Sequence, residues 1–158
     1  MRLLQGDGMV VRLSIGCDHR GFELKQCLLK ETRFGNVDVT WHDVGAYSSE
    51  RTDYPLYTFP VVKEILNGTA DAGILLCGSG IGVSIAANRF KGIYAGIVWN
   101  VEVARLAKEH DNVNLLILPA DYIEYDLSKA CITAWLQASF LQERYQKRLE
   151  MIEKFPGL

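Results

Sequence analysis

Apolar residues are spaced along this chain in two ways. Five short runs are nearly continuous in apolar side chains or alternate with polar ones, as β-strands do, and they span residues 10–16, 38–44, 72–76, 93–98 and 114–118. Six longer segments carry apolar side chains at helical spacing, and they span residues 21–30, 55–66, 81–88, 101–109, 125–138 and 141–154. Strands that alternate with helices form right-handed crossover units. The pattern predicts a three-layer α/β/α fold around a five-stranded parallel sheet.

Length and composition limit the classes of protein to consider. The 158 residues fit one domain, and with 49% hydrophobic residues the chain can bury a full core. We therefore predict a single domain over residues 1–158, in which residues 1–9 form a disordered extension. The formal net charge of −2 argues against a nucleic-acid partner. No apolar run approaches the roughly 20 residues that a membrane-spanning helix needs, which argues against a membrane partner.

The four cysteines are Cys17, Cys27, Cys77 and Cys131. Their spacing matches no zinc site, and a domain of this size does not need a disulfide framework. We therefore predict reduced thiols in a cytoplasmic protein, with no metal site.

The predicted fold also locates a functional site, because ligands bind beyond the carboxyl ends of the strands in an open parallel sheet. Polar and chemically active side chains follow the predicted strands at that edge, in residues 17–20, 43–54, 77–82, 99–100 and 119–121.

The segment from Cys77 to Gly82 is the most informative of these. Gly78, Gly80 and Gly82 lie between a buried strand and a helix, where they allow backbone N–H groups to turn toward an anion. We expect the start of the following helix to lower the pKa of the Cys77 thiol, which would make it a base or a nucleophile. The same glycines also suit a plain phosphate loop or a tight turn without chemistry. No Gly-Lys-Ser/Thr follows, so this is not a Walker loop.

Three further polar groups are candidates for the site. Asp18 beside His19 can pass protons or bind a hydroxyl, although Asp18 could instead cap the next helix. His110 lies at a predicted helix end, where structural histidines are common. Arg144 and Arg148 are one helical turn apart and could clamp a phosphate, or they could form a solvated charged face.

Together these segments resemble the ribose-5-phosphate isomerase B family, which also contains the galactose-6-phosphate isomerase subunits. The matching segments are Gly-Cys-Asp-His-Arg-Gly-Phe-Glu-Leu-Lys at 16–25, Ser-Ser-Glu-Arg-Thr-Asp-Tyr-Pro at 48–55, Gly-Ile-Leu-Leu-Cys-Gly-Ser-Gly-Ile-Gly at 73–82, Ser-Ile-Ala-Ala-Asn at 84–88 and Ala-Arg-Leu-Ala-Lys-Glu-His at 104–110. The resemblance implies a Rossmann-like sheet and a homodimer, in some members a tetramer, with active sites at the subunit interface. It also implies that no metal or organic cofactor is needed.

The resemblance implies that ribose 5-phosphate and ribulose 5-phosphate are interconverted through a cis-enediolate. In that reaction Cys77 would move the proton between C1 and C2, and Ser79 would help to transfer the hydroxyl proton. His110, with Asp18 near it, would open the furanose ring. The substrate-binding residues that the resemblance implies are His19, Arg144 and Arg148 at the phosphate, Tyr54 along the pocket wall, Asp111 after the ring-opening histidine, and Gly78, Gly80, Ile81 and Gly82 at the enediolate oxygen.

Three residues depart from the family's pattern. Asp111 stands where the family usually has Asn, Asp121 where it has the Arg of a Gly-x-Arg segment that typically reaches the phosphate from the partner subunit, and Tyr145 where it has His. Two of these changes add a negative charge, and like charges about 4 Å apart repel by roughly 4 kcal/mol at an effective dielectric of 20. We therefore expect a weakened phosphate site.

Two alternative functions follow. The chain could be an isomerase of the same fold that acts on an unphosphorylated or different sugar. It could also be a non-catalytic, flavodoxin-like module that holds a small anion in the glycine loop.

Overall fold

The computed structural model describes residues 10–155, so the predicted extension at residues 1–9 lies outside the described part of the chain. The strands are β1 (Val10–Cys17), β2 (Arg33–Phe34), β3 (Val37–Asp43), β4 (Ala72–Cys77), β5 (Ala95–Ile97) and β6 (Leu115–Pro119). The helices are α1 (Phe22–Leu28), α2 (Pro55–Leu66), α3 (Ile81–Ala87), α4 (Val101–Asp111), α5 (Tyr125–Gln137) and α6 (Glu143–Lys154). Each predicted element is present, and no boundary differs from its prediction by more than two residues.

The strands form one sheet in the order β2-β3-β1-β4-β6-β5. Strands β3, β1, β4, β6 and β5 run parallel, which confirms the predicted α/β fold. The predicted count of five strands is wrong, because β2 adds a sixth, antiparallel to β3. Strand β2 has only two residues and shows no periodicity, and tertiary contacts hold it in place: Phe34 is fully buried, with its ring 6.0 Å from that of Trp41.

Apolar side chains cover both faces of the sheet, and they alternate along each central strand. In β4, Ile74 and Leu76 join the cluster beneath α1, α4 and α5, whereas Leu75 and Cys77 join the cluster beneath α2 and α3. Complete burial of such a side chain is worth about 1.5–3 kcal/mol, so these layers fix the position of the strands. Strand β4 lies in the interior of the sheet, and its carboxyl end therefore places Cys77 between two neighbouring strand ends.

A buried ion pair fastens the loop after β3. The Lys25 side chain is fully buried, and its Nζ contacts the Asp43 carboxylate and donates a hydrogen bond to the Ala46 carbonyl over 2.8 Å. A buried ammonium without a partner would be strongly destabilising. The pair therefore holds α1 against the end of β3, beside the end of β1.

Within residues 10–155, no helix combines the length and the apolar character needed to cross a bilayer.

Candidate active site

A thiol and a carboxylate meet at the carboxyl edge of the sheet. Strand β4 ends at Cys77, and Asp18 directly follows the neighbouring strand β1. The Cys77 Sγ donates a hydrogen bond to Asp18 Oδ2 over 3.2 Å. Asp18 Oδ1 accepts from the backbone N–H groups of Arg20 at 2.9 Å and Gly21 at 3.2 Å. Both oxygens of this carboxylate are thus engaged, and Cys77 and Asp18 are only 8% and 5% exposed.

The expected lowering of the Cys77 pKa is wrong for this chain. The pKa of the thiol is raised to about 11, chiefly by burial and also by the hydrogen bond to Asp18 and the negative charge of that residue. Backbone hydrogen bonds from Gly80 and Gly78 act in the opposite direction but are outweighed. The amides of Gly78 and Gly80 do face the sulfur, but desolvation and the adjacent carboxylate favour the protonated thiol.

The glycine loop is shaped by close approaches to its backbone. Gly80 has a φ of 78°, a left-handed conformation that favours glycine. An added Cβ at Gly82 would lie 2.6 Å from Cζ of Tyr54, so the tyrosine ring packs directly against the loop. Ser79 is exposed, and its Oγ accepts from the N–H of Ile81 over 3.3 Å. Tyr54 and Ser79 therefore lie at the edge where the predicted site requires them.

His19 is held at the same edge by the loop that follows β3. Its Nδ1 lies 3.1 Å from the carbonyl oxygen of Thr52, two residues before Tyr54. The Thr52 Oγ1 lies 2.9 Å from the hydroxyl of Tyr57 in α2, which anchors this loop. The imidazole therefore has a fixed orientation close to Asp18.

The other predicted site residues lie at the opposite edge. Helix α4 starts after the carboxyl end of β5 and ends before the amino end of β6, so it carries His110 and Asp111 to the amino ends of the parallel strands. A strand of six residues spans roughly 20 Å. Within one chain, Cys77 and His110 therefore lie at opposite edges of the sheet.

Tyr145 organises this second group. Its ring stacks on the His110 imidazole, with ring centroids 4.2 Å apart and an interplanar angle of 9°. The guanidinium carbons of Arg144 and Arg148 lie 4.9 Å and 5.6 Å from the centre of the same ring. Tyr145 also accepts a hydrogen bond from Arg144 Nη2 over 2.8 Å. The residue that replaces the family's histidine thus holds three of the predicted site residues together.

The structure therefore divides the predicted site into two groups within one chain. At the carboxyl edge it brings together Asp18, His19, Tyr54, Cys77, Gly78, Ser79, Gly80, Ile81 and Gly82. At the amino edge it brings together His110, Asp111, Arg144, Tyr145 and Arg148. The resemblance implies that Asp18 lies near His110, but within one chain Asp18 contacts Cys77 instead.

One polar pair at the carboxyl edge was missed. Arg20 reaches across the end of β4 to Asp121, with its Nε and Nη2 at 2.7 Å and 2.5 Å from Asp121 Oδ2. The backbone N–H of Asp121 donates to the Gly78 carbonyl over 3.1 Å. Asp121 thus lies beside the cysteine loop of its own chain, and only the charge of Arg20, next to Asp18, could have indicated this pairing. No group of three or more His, Cys, Asp or Glu side chains within residues 10–155 could hold a metal ion.

A buried thiol–carboxylate pair beside a glycine-rich loop, at the carboxyl edge of a parallel sheet, defines an α/β enzyme site suited to proton transfer. Comparison with known proteins agrees. Residues 13–152 match the model of the family described as Ribose/Galactose Isomerase. The chain belongs to this ribose/galactose isomerase family.

Three relatives illustrate the similarity. The ribose-5-phosphate isomerase B of Escherichia coli K12 is 40% identical over 141 residues, which cover 89% of this chain and 93% of that protein. The crystal structure of a ribose 5-phosphate isomerase from Thermotoga maritima has a TM-score of 0.82 at 40% identity and covers 91% of this chain and 98% of that one. The Mycoplasma genitalium ribose-5-phosphate isomerase B with bound ribulose-5-phosphate has a TM-score of 0.82 at 33% identity. The match covers 91% of this chain and 95% of that one.

Proposed function

We propose that this protein interconverts ribose 5-phosphate and ribulose 5-phosphate in the cytoplasm, with Cys77 as the group that moves the proton between C1 and C2. The observation that carries the proposal is the hydrogen bond from the Cys77 thiol to Asp18, next to backbone amides that face the sulfur. Relatives that cover nine-tenths of the chain carry the name of this activity, and one was solved with ribulose-5-phosphate bound.

The isomerisation needs a positioned base and a stabilised oxyanion. The Cys77 proton passes to Asp18 Oδ2, and the resulting thiolate removes the proton from C2 of the open-chain aldose. The electron pair of the broken C–H bond forms the enediolate, whose oxygen is held by N–H groups of residues 78–82. The thiol then delivers the proton to C1, while Ser79 helps to move the hydroxyl proton between the two oxygens. The proton held by Asp18 returns to the Cys77 sulfur, which restores the resting site.

A thiol with a pKa near 11 is almost fully protonated at neutral pH. Additional positive charge near Cys77 would stabilise its thiolate, and the carboxyl edge of one chain does not supply enough of it. The guanidinium groups of Arg144 and Arg148, grouped with His110 around Tyr145, lie at the far edge of the same chain. We therefore propose that the protein acts as a homodimer, or as a tetramer built from such dimers. In this assembly His110 of the partner subunit completes the site around Cys77 and opens the furanose ring.

The same arrangement accounts for phosphate binding. Arg144 and Arg148 of the partner subunit would meet His19 at the carboxyl edge, where a phosphate can accept several charge-assisted hydrogen bonds. Asp121 is neutralised by Arg20, so the repulsion expected from a bare carboxylate is largely cancelled. The pairing of Asp121 therefore removes the main objection to a phosphorylated substrate. The thiol–carboxylate contact favours an enzyme over an anion-binding module, because anion binding needs no thiol.

The test is turnover by the purified protein. We expect isomerisation of ribose 5-phosphate at a higher kcat/KM than that of ribose, allose 6-phosphate or galactose 6-phosphate. The Cys77→Ala variant should lose turnover by a factor of about 10³ or more while it still binds the substrate. Cys17→Ala is the matched control, since Cys17 is also buried at the end of a central strand but lies in the other apolar cluster. Turnover that survives Cys77→Ala, or faster turnover of another sugar, would contradict the proposal.

A further inference from the structure

The Arg20–Asp121 pair lies directly on the backbone of the cysteine loop. A Cβ added at Gly78 would be 2.6 Å from Arg20 Nε and 2.7 Å from Asp121 Oδ2. The two side chains come from the segments after β1 and β6, which are the strands on either side of β4. They therefore meet over the carboxyl end of β4, one residue beyond Cys77.

The backbone of this pair is tied to the same group that holds the thiol. The N–H of Arg20 donates to Asp18 Oδ1, while the other oxygen of Asp18 accepts from Cys77. On the other side, the N–H of Ala120 donates to the Cys77 carbonyl over 2.9 Å, and that of Asp121 donates to the Gly78 carbonyl. The pair is thus built into the wall of the site and is not a chance contact on a mobile surface.

The contact between the two side chains leaves polar atoms available. Both Arg20 Nε and Nη2 approach the same oxygen, Asp121 Oδ2. Among residues 10–155, Arg20 Nη1 and Asp121 Oδ1 have no hydrogen-bond partner. The two side chains are 55% and 29% exposed, so solvent reaches the pair. The pair therefore offers a donor and an acceptor next to the proton-transfer group.

We propose that Arg20 and Asp121 form a specificity-determining pair that binds the sugar hydroxyls next to the reacting carbons, at C3 and C4. A hydroxyl both donates and accepts, so two neighbouring hydroxyls match a guanidinium–carboxylate pair. A phosphate dianion matches it less well, because its oxygens only accept hydrogen bonds and cannot donate to Asp121 Oδ1. This inference rests on the proposed isomerase function and deepens it, since it assigns the recognition of the sugar chain, apart from the phosphate, to these residues.

The experiment combines changes in the protein with a change in the substrate. Turnover of ribose 5-phosphate, its 3-deoxy analogue and free ribose is measured for the wild type, Arg20→Ala and Asp121→Asn. A hydrogen bond to a charged group is worth about tenfold or more in binding. We therefore expect Arg20→Ala to raise the KM for ribose 5-phosphate about tenfold with kcat within about threefold of wild type. Asp121→Asn, which retains the shape of the side chain, should raise KM about fivefold.

The substrate analogue tests direct contact. The wild type should lose about tenfold or more in kcat/KM on the 3-deoxy analogue, whereas Arg20→Ala should lose less than about threefold. The KM increase in Arg20→Ala should be as large with free ribose as with ribose 5-phosphate. The matched control is Arg12→Ala, which removes the Arg12–Asp71 ion pair near the amino end of β4; its side chains are 53% and 34% exposed. This control should leave all three substrates unaffected.

The outcomes separate the two proposals. If the wild type turns over ribose 5-phosphate but both variants keep its KM, or discriminate against the 3-deoxy analogue as it does, the inference is overturned and the isomerase function stands. An effect of Arg20→Ala that is confined to the phosphorylated sugar would assign Arg20 to the phosphate and also overturn it. If the wild type isomerises no sugar, the proposed function fails and the inference fails with it.

Discussion

The Sγ of Cys77 lies 3.2 Å from Oδ2 of Asp18 and donates a hydrogen bond to it. The carboxylate therefore holds the proton on the sulfur and is also the nearest group able to accept it. Because a negative charge beside a thiol disfavours the thiolate, Asp18 has opposite effects on the chemical reactivity of Cys77 and on catalysis.

Replacement of this carboxylate should separate the two effects. In Asp18→Asn the negative charge is lost, so we expect the pKa of Cys77 to fall from its value of about 11 and the thiol to react faster with iodoacetamide at pH 8, by about fivefold or more. Isomerase turnover should fall about 100-fold or more, because the proton acceptor is gone. The measurement needs a Cys27→Ser background, since Cys27 is exposed. Slower alkylation of the variant would show that Asp18 does not hold the proton on sulfur.

The two groups of site residues should complement each other between chains. Cys77→Ala and His110→Ala are each expected to be nearly inactive. If the active site combines Cys77 of one subunit with His110 of another, half of the dimers in an equal, randomly mixed population are hybrids, and each hybrid has one intact site. Refolding the two variants together should therefore restore about one quarter of wild-type activity. A mixture as inactive as its components would place both residues in a site within one chain.

Tyr145 should matter through its ring more than through its hydroxyl. Tyr145→Phe keeps the stack on His110 and loses only the hydrogen bond from Arg144, so we expect kcat/KM within about threefold of wild type. Tyr145→Ala removes the stack and both cation–π contacts and should lower kcat/KM about tenfold or more. The comparison is made on protein shown to be folded by circular dichroism. Equal activity of the two variants would show that the stack does not position His110.

The buried ion pair should contribute strongly to stability. In Asp43→Ala the fully buried Lys25 ammonium loses its charged partner and keeps only its hydrogen bond to the Ala46 carbonyl and its cation–π contact with Tyr47. We expect the free energy of unfolding to fall by about 3 kcal/mol in urea titrations. The exposed ion pair of Arg12 and Asp71 gives the control: Arg12→Ala should cost less than about 1 kcal/mol. Similar losses for the two variants would mean that burial does not set the strength of the Lys25 pair.

Alkaline pH should destabilise the fold through its buried thiols. Burial raises the pKa of Cys131 to about 11 from an ordinary value of 9.0. The folded pKa is the higher one, so the thiol contributes stability that is present below pH 9 and is lost as the pH rises toward 11. Between pH 8 and 10.5 the wild type should lose up to about 2 kcal/mol more than Cys131→Ala. Parallel pH profiles of the two proteins would contradict this.

Local patterns were sufficient to predict the parallel strands and the edge that bears Cys77. The run before that residue is continuously apolar because both faces of its strand are buried, and this continuity is visible in the sequence. The position of His110 could also be predicted from the sequence, because a helix after a parallel strand must run back toward the amino edge of the sheet. The expectation that it lies near Asp18 rests on resemblance alone, and the direction of α4 carries it away from Asp18 within one chain.

Other features arise only from tertiary contacts. The pKa of Cys77 depends on desolvation and on the contact with Asp18, 59 residues away in sequence. The Arg20–Asp121 pair joins residues 101 positions apart, and each alone has the pattern of an ordinary surface charge. The sequence shows that a helix starts beside Cys77, which lowers the pKa of the thiol. It does not show burial and the contact with Asp18, which raise that pKa by more.

The short antiparallel strand β2 also protects the molecule from faulty association. An outer strand with unpaired backbone groups can recruit a strand from another molecule and begin a fibre. Here β2 pairs with Val37 and Asp38 and so covers the start of β3, and it bears Arg33, whose Nε lies 3.6 Å from Asp38 Oδ1. At the opposite side the outer strand β5 has only three residues. Outer strands as short as these offer little template for added strands where they close the sheet, which should favour solubility at high protein concentration.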